Sequence, residues 1–522
     1  MGSRRPALSF VSTFLCASAL SACTVGPDFL RPKAPENAGY TAEKLADTVS
    51  ADIQGGVTQR FVVAKDIPGE WWTLFHSAAL NTLIEEALKA NPDLAAAQAA
   101  LRQANEIVYA DQGAFFPTLS ASGSATREKI SAASLAGFGV STSPRGARSI
   151  PPFSVTSASL SVSYAPDVFG GTRRQVESAE AQAEYERFEL EATYLTLTSN
   201  VVNAAVTLAS LRDQIAATDE VIKIESDQLN LLKHQFELGA VSKSDVLTQQ
   251  ATLAQAIATL PPLQKQLAQA RNQLMTYLGR FPNQDKGENF VLASLTLPED
   301  LPVSLPSKLV EQRPDIRAAE AQLHEASANV GVAIADQLPQ FSITGQLGSS
   351  ASSFDKLFSP GGGLWSIAGS LAQTIFDGGT LEHRKRAAVA AYDQSAAQYR
   401  STVLSAFQDV ANALRAVQTD SDALKAQLLA EQSAHDNLDL ARDQYKLGAI
   451  NYLTLLTAQQ TYQNALLNRV RAQAARYTDT AALFQALGGG WWNRADVAPE
   501  TQGRPDRFAI PPVQEIGLPL AR

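Results

Sequence analysis

The chain has 522 residues, of which 45% are hydrophobic and 18% charged, and its formal net charge is −9. This acidic balance, without a cluster of Lys and Arg, argues against nucleic-acid binding, because backbone phosphates must be neutralised by basic side chains. The two cysteines form no C-x-x-C pair, which excludes a disulfide scaffold, a Cys-rich zinc module and a thioredoxin-like redox pair.

The N-terminus has the features of a secretory signal. Arg4 and Arg5 precede an apolar run over residues 7–20 that is too short for a comfortable membrane span. The run ends in Leu20-Ser21-Ala22-Cys23, which resembles a bacterial lipobox. The resemblance implies cleavage after residue 22 and acylation of Cys23, and an ordinary signal peptide with a chance cysteine is the alternative. Several acyl chains would fix the N-terminus to a bilayer. Thr24 in place of Asp favours delivery to the outer membrane.

The rest of the chain contains one pattern written twice. The matched landmarks are Asn91-Pro92-Asp93 with Arg313-Pro314-Asp315, Pro117 with Pro339, Gly170-Gly171-Thr172 with Gly378-Gly379-Thr380, Leu238-Gly239-Ala240 with Leu447-Gly448-Ala449, and Leu278-Gly279 with Leu487-Gly488. The offsets are 222, 222, 208, 209 and 209. They predict a tandem duplication of about 200 residues, with 14 extra residues in a loop of the first copy.

The duplication divides the chain into six predicted segments. They are a signal peptide (1–22), a lipid-anchored N-terminal segment (23–70), repeat 1 (71–281), a Pro-rich linker (282–306), repeat 2 (307–490) and a C-terminal tail (491–522). Each repeat is predicted to run helix, strand, loop, strand, long helix, tight turn, long helix. Two tryptophan pairs, Trp71-Trp72 and Trp491-Trp492, flank the repeats and are predicted to pack in a belt halfway along the molecule.

Four segments alternate between apolar and small polar residues. They begin near Leu119, Leu160, Phe341 and Trp365. The period of two fits a sheet that is wet on one face, and runs of about 9 to 11 residues match a tilted membrane-spanning strand. Four strands cannot close a barrel, and lipid tolerates no open sheet edge. Three chains sharing one barrel would supply twelve strands, whereas a soluble antiparallel sheet is the alternative. Trp365 and Tyr164 would then suit interfacial aromatic girdles.

Two very long helices are predicted beside these strands. The first uninterrupted helical stretch, over residues 172–238, would be roughly 100 Å long. Apolar residues recur every seven positions, which indicates coiled-coil packing. The predicted seams are Leu208, Leu211, Ile215, Ile222, Leu229, Leu232 and Phe236; Val246, Leu253, Leu260, Leu267 and Leu274; and Val403, Val410, Val417, Leu424, Leu438 and Tyr445, with Glu431 as an interruption.

Short motifs predict how these helices end and return. Gly239 and Gly448 suit the left-handed residue that terminates a helix, and Ser242-x-x-Asp245 suits the cap of the returning one. Pro261 and Pro262 are expected to interrupt and bend that returning helix. Each repeat is therefore predicted to be a long antiparallel helical hairpin joined to two strands.

Several motifs together resemble one family. They are the lipobox followed by Thr24-Val25-Gly26-Pro27-Asp28-Phe29, the duplicated plan, Tyr445-x-Leu447-Gly448, Leu455-Leu456-Thr457-Ala458-Gln459 and Ala486-Leu487-Gly488-Gly489-Gly490-Trp491. They resemble the TolC-like outer-membrane factors, in the branch of NodT-type efflux lipoproteins, over residues 20–492. The resemblance implies an α+β membrane protein: a homotrimer with a twelve-stranded β-barrel in the outer membrane, continuous with a helical tunnel through the periplasm. It implies docking on a periplasmic adaptor and an inner-membrane pump of the resistance-nodulation-division type.

An acidic triplet marks the expected gate of this tunnel. Asp436, Asp439 and Asp443 have i, i+3 and i+7 spacing, so they share one helix face before Gly448. Around a three-fold axis, nine carboxylates would repel one another, attract cations and respond to divalent ions. In the family, aspartates about nine residues before this glycine line the closed aperture, a role that the resemblance assigns to Asp439 and also to Asp436. Arg442 would pair with an acid and hold the closed state, and a solvated acidic face is the alternative. Thr457 stands where many relatives have another aspartate.

The two tight turns are the expected contact with the adaptor, although they also suit simple turn residues. The contact residues are Leu238, Gly239, Ala240, Val241 and Ser242 in repeat 1, and Leu447, Gly448, Ala449, Ile450 and Asn451 in repeat 2. Gly361-Gly362-Gly363 is interpreted as part of a hairpin loop between two strands.

No enzyme motif is found. The five histidines lack metal-ligand spacing and are interpreted as helix-surface residues, and no G-x-S-x-G or P-loop occurs. No metal and no cofactor beyond the lipid on Cys23 are expected. The prediction is a passive conduit exporting small molecules such as drugs or toxic compounds. A periplasmic coiled-coil scaffold lipoprotein without channel activity is the alternative, and metal efflux and type I secretion compete within the channel class.

Overall fold

The computed structural model describes residues 24–35, 39–43, 45–129 and 151–494. The strands in these ranges are β1 (Arg60–Val63), β2 (Thr118–Glu128), β3 (Phe153–Tyr164), β4 (Asp300–Val303), β5 (Gln340–Ala351) and β6 (Gly363–Ala372). The helices are α1 (Ala78–Ala90), α2 (Pro92–Gln112), α3 (Gly171–Glu237), α4 (Lys243–Tyr277), α5 (Pro306–Gln312), α6 (Pro314–Ala335), α7 (Thr380–Lys446) and α8 (Tyr452–Ala486). The predicted signal peptide, Cys23 and the tail beyond residue 494 lie outside the described residues.

The long helices α3 and α7 confirm the prediction of two extended hairpins. Each has 67 residues, or roughly 100 Å at 1.5 Å per residue. Neither contains proline, and both are rich in Ala, Leu, Gln and Glu, which favour the helical state. Each begins after a glycine in the left-handed region, Gly170 at φ +80° and Gly379 at φ +89°. Asp167 and Asp377 accept hydrogen bonds from backbone N–H groups at these helix starts.

The helix starts also correct the offset between the two copies. Gly170 and Gly379 occupy the same capping position, and α3 and α7 have equal lengths, so the structural offset is 209 along both helices. The Gly-Gly-Thr motifs align at 208 because the second copy has one more residue between its strand and its helix. The first copy therefore carries 13 extra residues, the difference between 222 and 209, rather than 14.

The returning helices begin as predicted. Ser242 and Asp245 form a reciprocal capping box at the start of α4, and Asn451 caps α8. Gly239 and Gly448 have φ of +74° and +72°. The expected interruption at Pro261 and Pro262 was wrong, since α4 is one continuous helix of 35 residues. Both prolines are exposed, so water can satisfy the two carbonyls that lose their partners.

The heptad seam was right for α7 and only partly right elsewhere. Val403, Val410, Val417, Leu424 and Leu438 of α7 are all at most 8% exposed. The interruption at Glu431 is matched by Arg469 of α8, whose Nε lies 2.7 Å from the carboxylate.

Along the first hairpin the buried stripe differs from the predicted seam. Ile215 and Ile222 are half-buried and Phe236 is 44% exposed, whereas Leu208, Leu211, Leu229 and Leu232 are buried as expected. In α4 the predicted Val246, Leu253, Leu260 and Leu267 are half-buried, and Gln249, Ala256 and Leu263 take the buried positions. The reason is that α3 packs against α1, α2, α4, α6 and α8, so no single seam describes it.

The four predicted strands form one antiparallel sheet in the order β2-β3-β5-β6. Serine hydroxyls pair across β2 and β3, with Oγ–Oγ distances of 2.8 Å for Ser120–Ser161 and 2.8 Å for Ser124–Ser157. The opposite face carries exposed apolar side chains such as Leu119, Trp365 and Ile367. Among the described residues, β2 and β6 each have one unpaired edge. Gly361 and Gly362 lie in the β5–β6 hairpin loop, as predicted.

A second, smaller sheet was not predicted. β1 pairs in parallel with β4, which lies inside the segment interpreted as a linker. That segment also buries Phe290, Leu292, Leu295, Leu297 and Leu301 in the main core, so it is part of the folded body. A period of two is not visible in four-residue strands, and pairing over more than 200 residues has no local signal.

The tryptophans confirm the predicted belt of aromatic packing. Trp71 is 1% exposed and stacks on Phe484 with ring centroids 5.4 Å apart, and Trp491 packs edge-on against Phe188. This core joins the start of repeat 1 to the end of repeat 2. Across the described residues, no helix is both long enough and apolar enough to cross a membrane.

Candidate functional site at the helical tips

The acidic triplet lies on the last turns of α7, where the helix approaches its C-terminus. The side chains of Asp436, Asp439 and Asp443 are 87%, 54% and 70% exposed. Arg442 Nη1 lies 3.2 Å from Asp439 Oδ1, so the predicted pairing of Arg442 with a neighbouring acid is confirmed within one helix. The carboxylates are therefore free to face solvent or other charged groups.

Two basic partners of the triplet were missed by sequence reasoning. Lys446 Nζ lies 2.9 Å from Asp443 Oδ1, and His435 Nδ1 lies 3.6 Å from Asp439 Oδ2. Both partners have the i, i+3 or i, i+4 spacing at which helix side chains meet, and this spacing was the available signal. All of these pairs are substantially exposed, so each contributes little to stability.

The acidic face is supported from behind by an apolar contact between α7 and α8. Leu438 and Ala441 of α7 pack against Leu455 and Ala458 of α8, and all four side chains are at most 5% exposed. This contact fixes the rotation of the last turns of α7, so the three carboxylates point away from α8.

A buried polar network joins the two hairpins near the tips. Gln249 of α4 donates from Nε2 to Glu225 Oε2 of α3 at 2.6 Å, and the Tyr452 hydroxyl of α8 donates to Gln249 Oε1. Their exposures are 0% for Gln249, 3% for Glu225 and 6% for Tyr452. Burial raises the pKa of Glu225, and the hydrogen bond from Gln249 partly offsets that rise. The sequence gave no local sign of this network, because its members come from three helices.

The turn residues predicted as adaptor contacts lie at the extreme ends of both hairpins. Leu238 is 72% exposed and Leu447 84%. The exposed members are Leu238, Gly239, Ala240, Ser242, Leu447, Gly448, Ala449 and Asn451. Val241 and Ile450 are instead half-buried, because they pack against the buried clusters around Tyr452 and Leu455.

The exposed surface at the tips extends further than predicted. Leu247 and Leu453 are 55% and 65% exposed, one on each returning helix. A polar groove of about 390 Å³ runs between α7 and α8 beside the triplet. It is lined mainly by Asn437, Asn451, Leu453, Thr454, Thr457 and Thr461. Thr457 is exposed, and its hydroxyl bonds the Leu453 carbonyl of its own helix.

The expected chemistry of the histidines needs two corrections. His324, interpreted as a helix-surface residue, stacks on Phe29 with ring centroids 4.3 Å apart and lies 2.9 Å from Glu177. Hydrogen bonds from His324 and Arg174 hold the pKa of Glu177 below its usual range, although burial acts in the opposite direction. His76 follows a short 3-10 turn and is not on a helix.

The Thr24–Phe29 motif is explained by this same region. Arg174, which is 3% exposed, donates to the Val25 carbonyl and to Asp28 Oδ1. Gly26 has φ +93°, and a Cβ there would lie 2.4 Å from the Gly331 Cα, so only glycine allows this close approach. In the described part of the chain, no group of three His, Cys, Asp or Glu side chains is arranged to hold a metal ion.

Comparison with known proteins agrees with this architecture. The family model described as outer membrane efflux protein matches residues 83–280 and 305–489. The probable efflux pump outer membrane protein TtgC of Pseudomonas putida is 30% identical over 497 residues, which cover 94% of this chain and 97% of that protein. The pyoverdine export outer membrane protein OpmQ of Pseudomonas putida is 31% identical over 435 residues, or 82% of this chain and 90% of that protein.

Solved structures share the fold. The open state of the MtrE outer membrane channel of Neisseria gonorrhoeae has a TM-score of 0.75 and 28% identity, and the match covers 90% of this chain and 99% of that one. The family model alone spans well over half of the sequence, in two segments that each contain a sheet hairpin and a helical hairpin. The chain therefore belongs to the outer membrane efflux protein family.

Proposed function

We propose that the chain is the outer-membrane channel of a tripartite efflux system, acting as a passive trimeric conduit for small molecules. The observation that carries this proposal is an unclosed four-stranded sheet joined to two helical hairpins of roughly 100 Å in a chain of this family. Relatives named for efflux pumps and for pyoverdine export support small-molecule cargo over metal or protein export.

The sheet supports a shared barrel. Its apolar face exposes large side chains, among them Trp365 at 75% and Ile367 at 77%, while the other face carries hydroxyls. Such a sheet suits lipid on one side and water on the other. Because a membrane-embedded sheet must close on itself, strand β6 of one chain would pair with β2 of the next. Three chains then give twelve strands.

The repeat supports the same arrangement for the helices. In repeat 1, α3 lies between α2 and α6. In repeat 2, the equivalent helix α7 packs on α6 but has no counterpart of the second neighbour. Exposed apolar residues mark the vacant faces: Val389 and Tyr392 on α7, and Ile107 and Tyr109 on α2. Helix α2 of the adjacent chain would complete the packing, and each hairpin pair would become one third of a tunnel wall.

The tips would form the periplasmic end of this tunnel. Three copies of Asp436, Asp439 and Asp443 would place nine carboxylates near the axis, which favours cations and makes the aperture sensitive to divalent ions. Arg442 would hold the closed state through its pair with Asp439. The exposed turns would contact a periplasmic adaptor, and an inner-membrane pump of the resistance-nodulation-division type would supply the energy. Acylation at Cys23 would anchor the trimer to the outer membrane.

Single-channel recording in a planar bilayer tests this proposal. The purified lipoprotein is compared with its Asp436→Ala/Asp439→Ala variant, and Asp422→Ala on an exposed site of the same helix serves as the control. Small cation-selective steps in the wild type, larger steps in the double variant and no change in the control are expected. Equal conductance of all three proteins would move the gate elsewhere. No conductance from folded protein would favour a non-conducting coiled-coil scaffold.

A further inference from the structure

An N-terminal segment crosses the middle of the second hairpin. Residues 45–59, called the strap here, precede β1 and lie against α7 and α8. Gln418 and Ser421 of α7 bond the backbone of Ala46 and Val49 at 2.9 and 3.2 Å. Gln473 of α8 donates to the Gln54 carbonyl at 2.8 Å. The strap is therefore attached to both helices by hydrogen bonds, in addition to its apolar contacts.

Arg476 of α8 is the main attachment of the strap. It is 1% exposed, and its guanidinium donates to the Gly55 carbonyl at 2.7 Å, the Val57 carbonyl at 2.9 Å and Gln59 Oε1 at 3.0 Å. These acceptors are neutral, and its Nε has no partner among the described residues. A buried cation held only by dipoles remains strongly attracted to any carboxylate that becomes charged nearby.

Two carboxyl groups lie beside this cation. Asp420 of α7 and Asp479 of α8 face each other across the hairpin and are within hydrogen-bonding reach. Asp420 Oδ2 is buried and has no donor. Burial raises the pKa of Asp420 to about 7, the facing Asp479 raises it further, and the charge of Arg476 acts in the opposite direction. Asp479 and Arg476, both from α8, are the charged groups that act on Asp420, and the strap side chains nearest Arg476, Thr48 and Gln59, are neutral.

We propose that Asp420 and Asp479 form a pH-sensitive switch that controls how tightly the strap is held on α7 and α8. With one proton shared between them, the pair carries a single negative charge and Arg476 stays on the strap carbonyls. When that proton is lost, the two carboxylates repel each other and draw the guanidinium toward α7. The strap then loses its main donors and opens more often. This inference does not depend on the proposed channel function.

The direction of the pH effect follows from linkage. The closed strap binds the shared proton more tightly than the open one, so its extra stability is present at low pH and is lost as pH rises through about 7. If the carboxyl of the open form titrates near its ordinary value, the opening constant rises about tenfold between pH 6 and pH 8. Hydrogen exchange of strap amides measures this constant directly.

The experiment uses the full-length protein in detergent, with exchange followed by mass spectrometry at several pH values and corrected for intrinsic rates. The wild type is expected to lose about tenfold in protection of residues 45–59 between pH 6 and pH 8. Asp479→Asn keeps a hydrogen bond to Asp420 but removes the second charge, so its protection is expected to change less than threefold. Asp422→Asn, an exposed site on the same helix, is expected to behave like the wild type.

Two results would overturn the switch. One is flat protection of the wild-type strap between pH 6 and pH 8, which needs no variant at all. The other is an Asp479→Asn profile that falls as steeply as the wild type. Should Asp479→Asn fail to fold, Asp420→Asn provides the same comparison from the opposite helix.

Discussion

Gln249 is predicted to hold the two hairpins together near the tips. Gln249→Leu keeps a side chain of similar size but removes the bonds to Glu225 and Tyr452, both of which stay buried. An unsatisfied buried polar group costs about 1–3 kcal/mol, and more if it is charged. Two such groups give a loss of about 3 kcal/mol, or roughly a hundredfold rise in the local opening constant.

Hydrogen exchange of the first turns of α4, over residues 243–256, measures this opening. The matched control is Gln250→Leu, the next residue along the same helix, which is exposed and is expected to change the opening constant less than threefold. A double-mutant cycle with Tyr452→Phe should give a coupling free energy of about 0.5–3 kcal/mol. Equal effects of Gln249→Leu and Gln250→Leu would refute the reasoning, because they would mean that the buried network contributes nothing.

Three other changes have expected outcomes. Glu225→Gln should reduce the pH dependence of tip opening measured by the same exchange, because burial raises the pKa of Glu225 and the resulting stability is present at low pH and lost as pH rises through that value. Trp71→Ala should lower the free energy of unfolding by about 3–5 kcal/mol in denaturant titration, since the indole is 1% exposed and stacked on an aromatic ring. Glu431→Leu should cost several kcal/mol while Glu431→Leu/Arg469→Leu recovers most of the loss, because the single change leaves a mostly buried guanidinium unpaired. A Trp71→Ala loss below 1 kcal/mol, or a double variant less stable than Glu431→Leu, would contradict the assigned packing.

The local sequence was sufficient for the elements that have local causes. The glycines Gly239 and Gly448, the capping pair Ser242 and Asp245, and the absence of proline over 67 residues determine where the long helices begin and end. The four strands were found because alternation over ten residues is a strong local pattern.

The features that sequence reasoning missed depend on contacts between distant segments. β1 and β4 are separated by more than 200 residues, and the strap contacts helices more than 350 residues away. Gln249 looks like a surface glutamine in an amphipathic helix, and only the tertiary packing of α3, α4 and α8 shows that it is buried. The same cause moved the seam of the first hairpin, because a helix with five neighbours has no single apolar stripe.

The acidic triplet was placed correctly on one exposed helix face, and its pairing with Arg442 was found within the chain. Its partners Lys446 and His435 follow from the same helical spacing and could have been predicted. The role of the triplet as a gate depends on the positions of neighbouring chains, which remain part of the proposed function. Acylation of Cys23 likewise stays a prediction.

The closed ring of three chains is the central claim, and cysteine cross-linking tests it most directly. Within one chain, Ser178 Oγ of α3 lies 3.0 Å from Asn329 Oδ1 of α6. The structural offsets of 209 and 222 carry this contact to Ala387 of α7 and Ile107 of α2, both of which are exposed. Ala387→Cys/Ile107→Cys in one chain, treated with a short bis-maleimide in outer membranes, should give a ladder that stops at three protomers, whereas either single variant should not form the ladder. A ladder that continues beyond three, or protein that stays monomeric, would contradict the account.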